Sequence, residues 1–255
     1  MKLNENKTQF ILIGKKAAVD KYKETTLDLS GTIIQQTDFK KDSAKSLGVK
    51  LDSDLSMKRQ VNDVKRKCYW SLTNLGNFGH FLTENLKISL VKTLILSKLD
   101  YCNALYIGLN VSILKKLQST INSSIRFIYN IRDWSTDLSP YYKRAHILPI
   151  QLRIKYKICL LVHKSLKDTA PPYLRQLIKL YCEEPSKQSL RSYSDQRLLL
   201  RPQITETKAS RKMYSYTAPI IWNSLPVELR SIEDTDRFKR DLKTHFFNFI
   251  DGFAI

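Results

Sequence analysis

The sequence predicts a mainly α-helical fold with a small β portion confined to its front, α+β overall. Three observations lead there. From residue 56 onward, apolar side chains recur at three- and four-residue spacing, the period of amphipathic helices. Before residue 56 the apolar runs are short and closed by glycine or charge, as strands are. Apolar content is 42%, with only 7 Gly and 8 Pro in 255 residues, which excludes wholesale disorder.

Phe10-Ile11-Leu12-Ile13, closed by Gly14, reads as a buried strand. Thr32-Ile33-Ile34 after Ser30-Gly31, and the stretch from Ser46 to Asp52, read as further strands. Two or three short strands do not make a stable sheet alone. They are expected to lie on the first helices or on a part outside this sequence, so the chain reads as the second half of something larger.

The first helix is expected over 56–78, with Val61, Val64, Cys68, Leu72 and Leu75 as its apolar stripe and Ser53 or Ser56 as cap. A second, over 84–106, has Thr83 as cap. Its stripe of Leu86, Leu90, Val91, Leu94 and Ile95 is wide enough to suggest a central position. A third, 111–131, repeats Leu114, Leu117, Ile121, Ile125 and Ile128. Pro140 and Pro149 bracket a short helix, and 150–166 makes a long one with Ile150, Ile154, Ile158, Leu161 and Val162 inward. Ala170-Pro171-Pro172 breaks the chain before a short helix over 173–181. Residues 183–212 are polar and basic without a helical stripe, apart from Leu198-Leu199-Leu200, and read as a linker. Helices over 213–222 and 235–249 close the chain, the last with Phe238, Leu242, Phe246 and Phe249 on one face. The expected division is therefore 1–55, 56–182, 183–212 and 213–255.

Charge is the strongest compositional signal. There are 43 Lys and Arg against 24 Asp and Glu, a net of +19. Residues 1–55 carry 10 basic and 8 acidic side chains, so nearly all of the excess falls on the helical part. A folded domain this basic attracts polyphosphate, because each phosphate contact releases condensed counterions. No run of eighteen apolar residues exists, so no membrane partner is expected. Cys68, Cys102, Cys159 and Cys182 are far apart, form no Cys-x-x-Cys or Cys/His cluster, and read as reduced thiols of an intracellular protein. Ser, His and Asp converge on no hydrolase motif, and no glycine-rich phosphate loop is present.

Several short segments occur in a telling order: Leu3-Asn4-x-x-Lys7-Thr8-x-Phe10, Leu47-Gly48-Val49, Ser97-Lys98-Leu99-Asp100-Tyr101-Cys102-Asn103-Ala104-Leu105, Leu117-Gln118 with Arg126, and Leu148-Pro149 with Arg153. Lys157-Ile158, Ala170-Pro171-Pro172-Tyr173-Leu174, Leu190-Arg191-Ser192 and Ala218-Pro219-x-x-Trp222-Asn223-Ser224-Leu225-Pro226 follow. In this order they resemble the C-terminal part of the reverse transcriptase of non-LTR (LINE-type, jockey-like) retrotransposons. The resemblance implies a palm-edge β remnant over 1–55, a helical thumb-like bundle over 56–182, a basic linker and a C-terminal helical unit. It also implies an RNA-directed DNA polymerase lineage. Such polymerases hold two Mg²⁺ ions on palm aspartates, which activate the primer hydroxyl and stabilise the leaving pyrophosphate. This chain contains no Asp-Asp pair, so no catalytic residue is assigned, no cofactor is expected within it, and activity alone is not expected.

The same resemblance implies particular roles. Lys7 would lie beside the incoming triphosphate. Leu47, Gly48 and Val49 would form a hairpin gripping the primer end. Lys58, Arg59, Lys65, Arg66, Lys67, Lys115, Lys116, Arg126, Arg153 and Lys157 would contact phosphates of an RNA, RNA–DNA or DNA duplex, which positions the duplex without reading its sequence. Tyr69, Trp70, Tyr129 and Trp134 are candidate stacking partners for unpaired bases. An upstream polymerase fragment is an implied partner. The alternative reading is a non-catalytic basic interaction module, or the product of a decayed element with no specific activity.

Overall fold

The computed structural model describes residues 8–14, 16–22, 24–29, 31–35, 43–183, 197–203 and 210–250. It is mostly helical with two small antiparallel sheets, and its contacts divide into two compact units, residues 1–69 and 70–255. The elements in order are α1 (Lys16–Lys21), β1 (Thr26–Leu29), β2 (Thr32–Gln35), β3 (Ala44–Ser46), β4 (Val49–Leu51) and α2 (Lys58–Asn77). Then come α3 (Glu84–Val91), α4 (Ser97–Asp100), α5 (Val111–Tyr129), α6 (Ser139–Ala145), α7 (Ile150–Leu166) and α8 (Pro172–Gln176). The last are α9 (Tyr214–Asn223), α10 (Val227–Arg230) and α11 (Thr235–Phe247).

In the first unit β1 pairs with β2, Leu27 opposite Ile34, and β3 pairs with β4, Ala44 opposite Leu51. Because side chains alternate across a strand, Ala44, Val49 and Leu51 turn toward the interior. The expected buried strand over Phe10–Ile13 shrinks to a single bridging residue, Phe10, and Ile13 is exposed. Its chain is diverted where Gly14 N–H donates to the Ser53 carbonyl, 2.9 Å away. The cap of α2 is also not the expected serine alone. Asp52 accepts from the Lys58 N–H at 3.0 Å and from the Ser56 hydroxyl at 2.8 Å, an acidic group at the positive end of the helix.

The second unit is organised by α7. Ile150, Leu152, Ile154, Ile158, Cys159 and Val162 are buried, and α5, α8, α9 and α11 all pack on this helix. The wide stripe of 84–106 suggested that helix as the centre; the structure gives the place to α7. The 84–106 segment is not one helix. A single π turn occupies Lys92–Leu96, α4 ends at Asp100, Cys102 takes a left-handed φ of 53°, and a 3-10 turn covers Asn103–Tyr106. The interruption moves the buried set to Val91, Ile95, Leu96 and Leu99, leaving Leu86 and Leu94 exposed. Its cause is tertiary: the Asp100 carboxylate is drawn to Arg153 of α7, Oδ1 lying 2.8 Å from Nε and Oδ2 taking a second bond from Nη2, and it also accepts from Asn103 Nδ2 at 3.2 Å.

Gln118 fixes where α7 begins. Its Oε1 accepts from Ile150 N–H at 2.9 Å, satisfying a donor that the first turn of a helix leaves without a partner. Its Nε2 donates to the Tyr142 hydroxyl at 2.7 Å and to Asn122 Oδ1 at 2.8 Å, and the Tyr142 hydroxyl donates to the same Asn122 oxygen at 2.5 Å. One side chain thus ties α5, α6 and α7. Gly108 makes a second tie obligatory: at φ +67° an added Cβ would stand 2.1 Å from the Arg211 carbonyl oxygen, so only glycine lets these two backbones meet.

Within the expected linker, residues 197–203 are anchored. Leu199 is buried and bridges Leu180, and the Asn223 side chain both accepts from Leu199 N–H at 2.9 Å and donates to its carbonyl at 2.8 Å. Trp222 Nε1 donates to the Arg197 carbonyl at 2.7 Å. Leu190-Arg191-Ser192 lies outside the described residues.

His163, on α7, is buried and stacks on Phe238 of α11 with centroids 4.2 Å apart and planes at 13°. As a neutral ring its Nε2–H donates to the Ile232 carbonyl at 3.0 Å. Burial holds its pKa below the ordinary 6.5; the Ile232 carbonyl opposes that, and the charges of Lys167 and Arg197 add to it.

Two outcomes are expected from these ties. Gln118→Met leaves Ile150 N–H and the Tyr142 hydroxyl short of a partner and lowers unfolding free energy by about 1–3 kcal/mol in urea titrations; an unchanged midpoint would mean that water replaces the amide. His163 takes up a proton more readily unfolded than folded, so its share of stability is complete above pH 6.5 and is lost as pH falls below that value toward the folded pKa. The urea midpoint should therefore drop between pH 7.5 and 5.5, and His163→Phe should flatten that drop.

Candidate nucleic-acid interface

The first unit gathers cations around a β-hairpin and the start of α2. The turn joining β3 to β4 consists of Leu47 and Gly48, both with left-handed φ, 46° and 84°. Positive φ at both central residues matches the twist of flanking strands and gives the shortest hairpin. Gly48 adopts it freely. Leu47 does so at roughly 1–2 kcal/mol, since its Cβ crowds the backbone, and its side chain is 89% exposed at the tip. Val49 is buried beneath. Leu47, Gly48 and Val49 thus occupy a projecting hairpin.

That short turn sets the register, and the register places Lys45 directly opposite Lys50. Both point away from the apolar face made by Ala44, Val49 and Leu51. Like charges in directly opposed positions are destabilising. The pair is held apart from the sheet edges on both sides: Lys45 N–H donates to Gln9 Oε1 at 2.7 Å and Lys50 N–H to the buried Gln60 Oε1 at 2.9 Å.

The basic face of α2 faces this pair. Lys45, Lys50, Arg59 and Arg66, with the polar groups of Gln9, Ser43 and Asn62, line an open groove of about 570 Å³. Among the described residues Asp63 is the one carboxylate lining it, and it serves several cations: Lys50 Nζ at 3.3 Å, Arg66 Nη2 at 2.8 Å and Lys67 Nζ at 2.9 Å. The hydrogen bond from Lys67 and then Lys50, against the opposing effect of burial, hold the Asp63 carboxyl down at about 2. One negative charge therefore positions three positive ones, and the groove keeps a positive excess.

The other expected contact residues are distributed differently. Lys58 is exposed at the first turn of α2, and Lys65 lies over the Tyr69 ring, 5.3 Å from its centroid. Lys115 and Lys116 are exposed on α5. Arg126 is turned inward on its own loop: it donates to the carbonyls of Asp133 and Trp134 and lies 4.8 Å from the Trp134 ring centroid. Arg153 is bound to Asp100 as described, and Lys157 lines a small cavity beside that pair. Trp70 and Trp134 are exposed; Tyr129 packs on Tyr141 with centroids 5.0 Å apart. Lys7 lies outside the described residues.

Lys45 and Lys50 did not stand out in the sequence. The signal that could have found them is the two-residue Leu47-Gly48 turn, which dictates that 45 pairs with 50. Among the described residues no group of three His, Cys, Asp or Glu side chains is placed to hold a metal ion, and no helix is long and apolar enough to cross a membrane. The four cysteines are free thiols. Comparison with protein-family models, with curated proteins and with solved structures returns no match.

The opposed lysines make a sharp expectation. Lys45→Glu converts a repulsive cross-strand pair into an attractive one, so it should stabilise the hairpin by about 0.2–1 kcal/mol while weakening polyanion binding. Thermal unfolding and binding to an RNA–DNA duplex, measured on the same variant, should move in opposite directions.

Proposed function

We propose that this chain is the polynucleotide-holding part of a retrotransposon-type RNA-directed DNA polymerase, and that it grips an RNA or RNA–DNA duplex through phosphates without itself performing the chemistry. The observation that carries this is the juxtaposition of Lys45 and Lys50 on the hairpin with Arg59 and Arg66 on α2 around one shared carboxylate. A groove in which one carboxylate serves three cations gains from a bound polyanion, because phosphates add counter-charge and release condensed counterions.

The ordered series of motif segments supports the polymerase lineage. Three of those segments, the ones holding Asp100, Gln118 and Arg153, meet in the second unit at the ties that set α7. On this reading Asp100 and Arg153 build the helical unit, and the exposed Lys58, Lys115 and Lys116, with the partly exposed Lys65, carry diffuse phosphate attraction. The exposed Leu47 at a strained hairpin tip suits a contact to the end of a strand, since strain is retained where a functional geometry demands it.

Binding to a labelled RNA–DNA duplex, measured across a salt series, tests the reading. Four phosphate contacts predict a log–log slope of about −3 to −4, and Lys45→Gln with Arg59→Gln should flatten it by about 2 while lowering affinity for all sequences alike. Affinity and slope equal to those of an unrelated protein of the same net charge would overturn the reading in favour of a general basic interaction module.

A further inference from the structure

A second cationic surface lies in the helical unit, and none of the motif segments points to it. An open cleft of about 570 Å³ is lined by Lys143 and His146 at the end of α6 and by Arg240, Lys243, Thr244 and Phe247 on α11. No lining residue is acidic among those described. Positions 240, 243, 244 and 247 share one face of α11 by helical spacing. The adjoining stripe, Phe238, Leu242 and Phe246, is buried and fixes the helix in place.

The cleft has an aromatic wall as well as charge. The His146 ring meets Phe247 edge-on, centroids 5.7 Å apart at 87°, and Lys243 Nζ lies 5.8 Å from the centroid of the same ring. His146 is set on the rim by its left-handed φ of 52°, its N–H donating back to the Lys143 carbonyl at 3.1 Å. Lys243 is half-buried, and the charges of Lys92 and Arg153 add to burial in pushing its pKa down, against the opposing charge of Asp100. The fold therefore gathers Lys143, Arg240 and Lys243 around one cleft.

An acidic peptide would use the charges and leave the ring pair idle. A nucleotide uses both, its phosphate meeting the cations and its base meeting an aromatic face, which is how unpaired strands are bound without sequence preference. We propose that this cleft binds an unpaired nucleotide unit of a single-stranded nucleic acid, with the phosphate between Lys143, Arg240 and Lys243 and the base against Phe247 and His146. The proposal rests on this cleft alone and not on the duplex grip of the first unit.

The test uses the full chain and fluorescence anisotropy with a labelled oligothymidylate and an abasic strand of the same length. The base-bearing strand should bind about tenfold more tightly, the equivalent of ~1.4 kcal/mol for one stacked base. Phe247→Leu, which keeps apolar bulk and removes the π face, should abolish that preference while sparing abasic binding; Lys143→Gln with Arg240→Gln should weaken both strands. Lys45→Gln with Arg59→Gln should leave the base preference intact, which separates a failure here from a failure of the duplex reading. Thymidine monophosphate distinguishes the source: displacement of the strand at matched nucleotide concentration assigns the cleft to free nucleotide, and lack of displacement assigns it to polymer. Ultraviolet crosslinks from bromouracil strands to the wild-type chain should map to residues 143–146 and 240–248. Crosslinks confined to other segments, or a base preference untouched by Phe247→Leu, would overturn the proposal.

Discussion

The pairing of Asp100 with Arg153 governs the helical unit. The Arg153 side chain is only 14% exposed, so its charge has left most of its water and requires a partner. The partner must come from a neighbouring element, and it comes from the segment that ends α4. To deliver a carboxylate there, the chain leaves helical geometry at Tyr101 and Cys102 and turns through a short 3-10 segment. The same displacement brings that turn against α7. With Gln118 satisfying the first N–H of α7 from the other side, the helix is clamped near its start by two different elements. Burial on several faces follows, because α5, α9 and α11 can then all use one rod as their common support.

This explains which parts of the fold were legible in the sequence. Helical period is a local property, so α2, α5, α7 and α11 could be placed from stripes such as Leu117, Ile121, Ile125 and Ile128. The break at Tyr101 and Cys102 could not, because nothing in Leu99-Asp100-Tyr101-Cys102 opposes helix by its apolar period. The break arises from an ion pair with a residue fifty-three positions away. The same holds for the centre of the unit. A wide apolar stripe signals burial, but α7 is central because it carries both an apolar surface and the polar ties at Arg153 and His163, which a hydrophobic pattern ranks low. The segment around Leu199 was legible as one short strand; that Asn223 would supply its hydrogen-bonding edge was not, since a side chain standing in for a strand leaves no periodic trace.

The candidate interface divides along a similar line. The sequence shows cations and their abundance, whereas structure decides how each charge is used. Arg126 and Arg153 look like surface cations in a helical reading, yet each is consumed within the fold, one holding a loop and the other the Asp100 carboxylate. Lys45 and Lys50 look like ordinary strand lysines, yet the hairpin register sets them face to face. Arg240, Lys243 and Phe247 were legible as residues of the last helix. Their meeting with Lys143 and His146 depends on how α6 and α11 lie, which no spacing within one helix encodes.

A chain of net charge +19 must spread repulsion somewhere. A fold selected for stability alone would scatter its cations and place carboxylates between them. Here three acidic groups build architecture, Asp52 at the start of α2, Asp100 beside α7 and Asp63 beneath the groove. Among the described residues, cations gather in the hairpin groove of the first unit and in the α6–α11 cleft of the second. A concave cluster of cations attracts anions, and the two places differ in what else they offer. The groove has amides and a hydroxyl suited to a phosphate track, and the cleft has an aromatic wall suited to a base. On the proposed readings, the distinction between the two ligands is made by the neutral residues around the cations, since the charges alone would treat every polyanion alike.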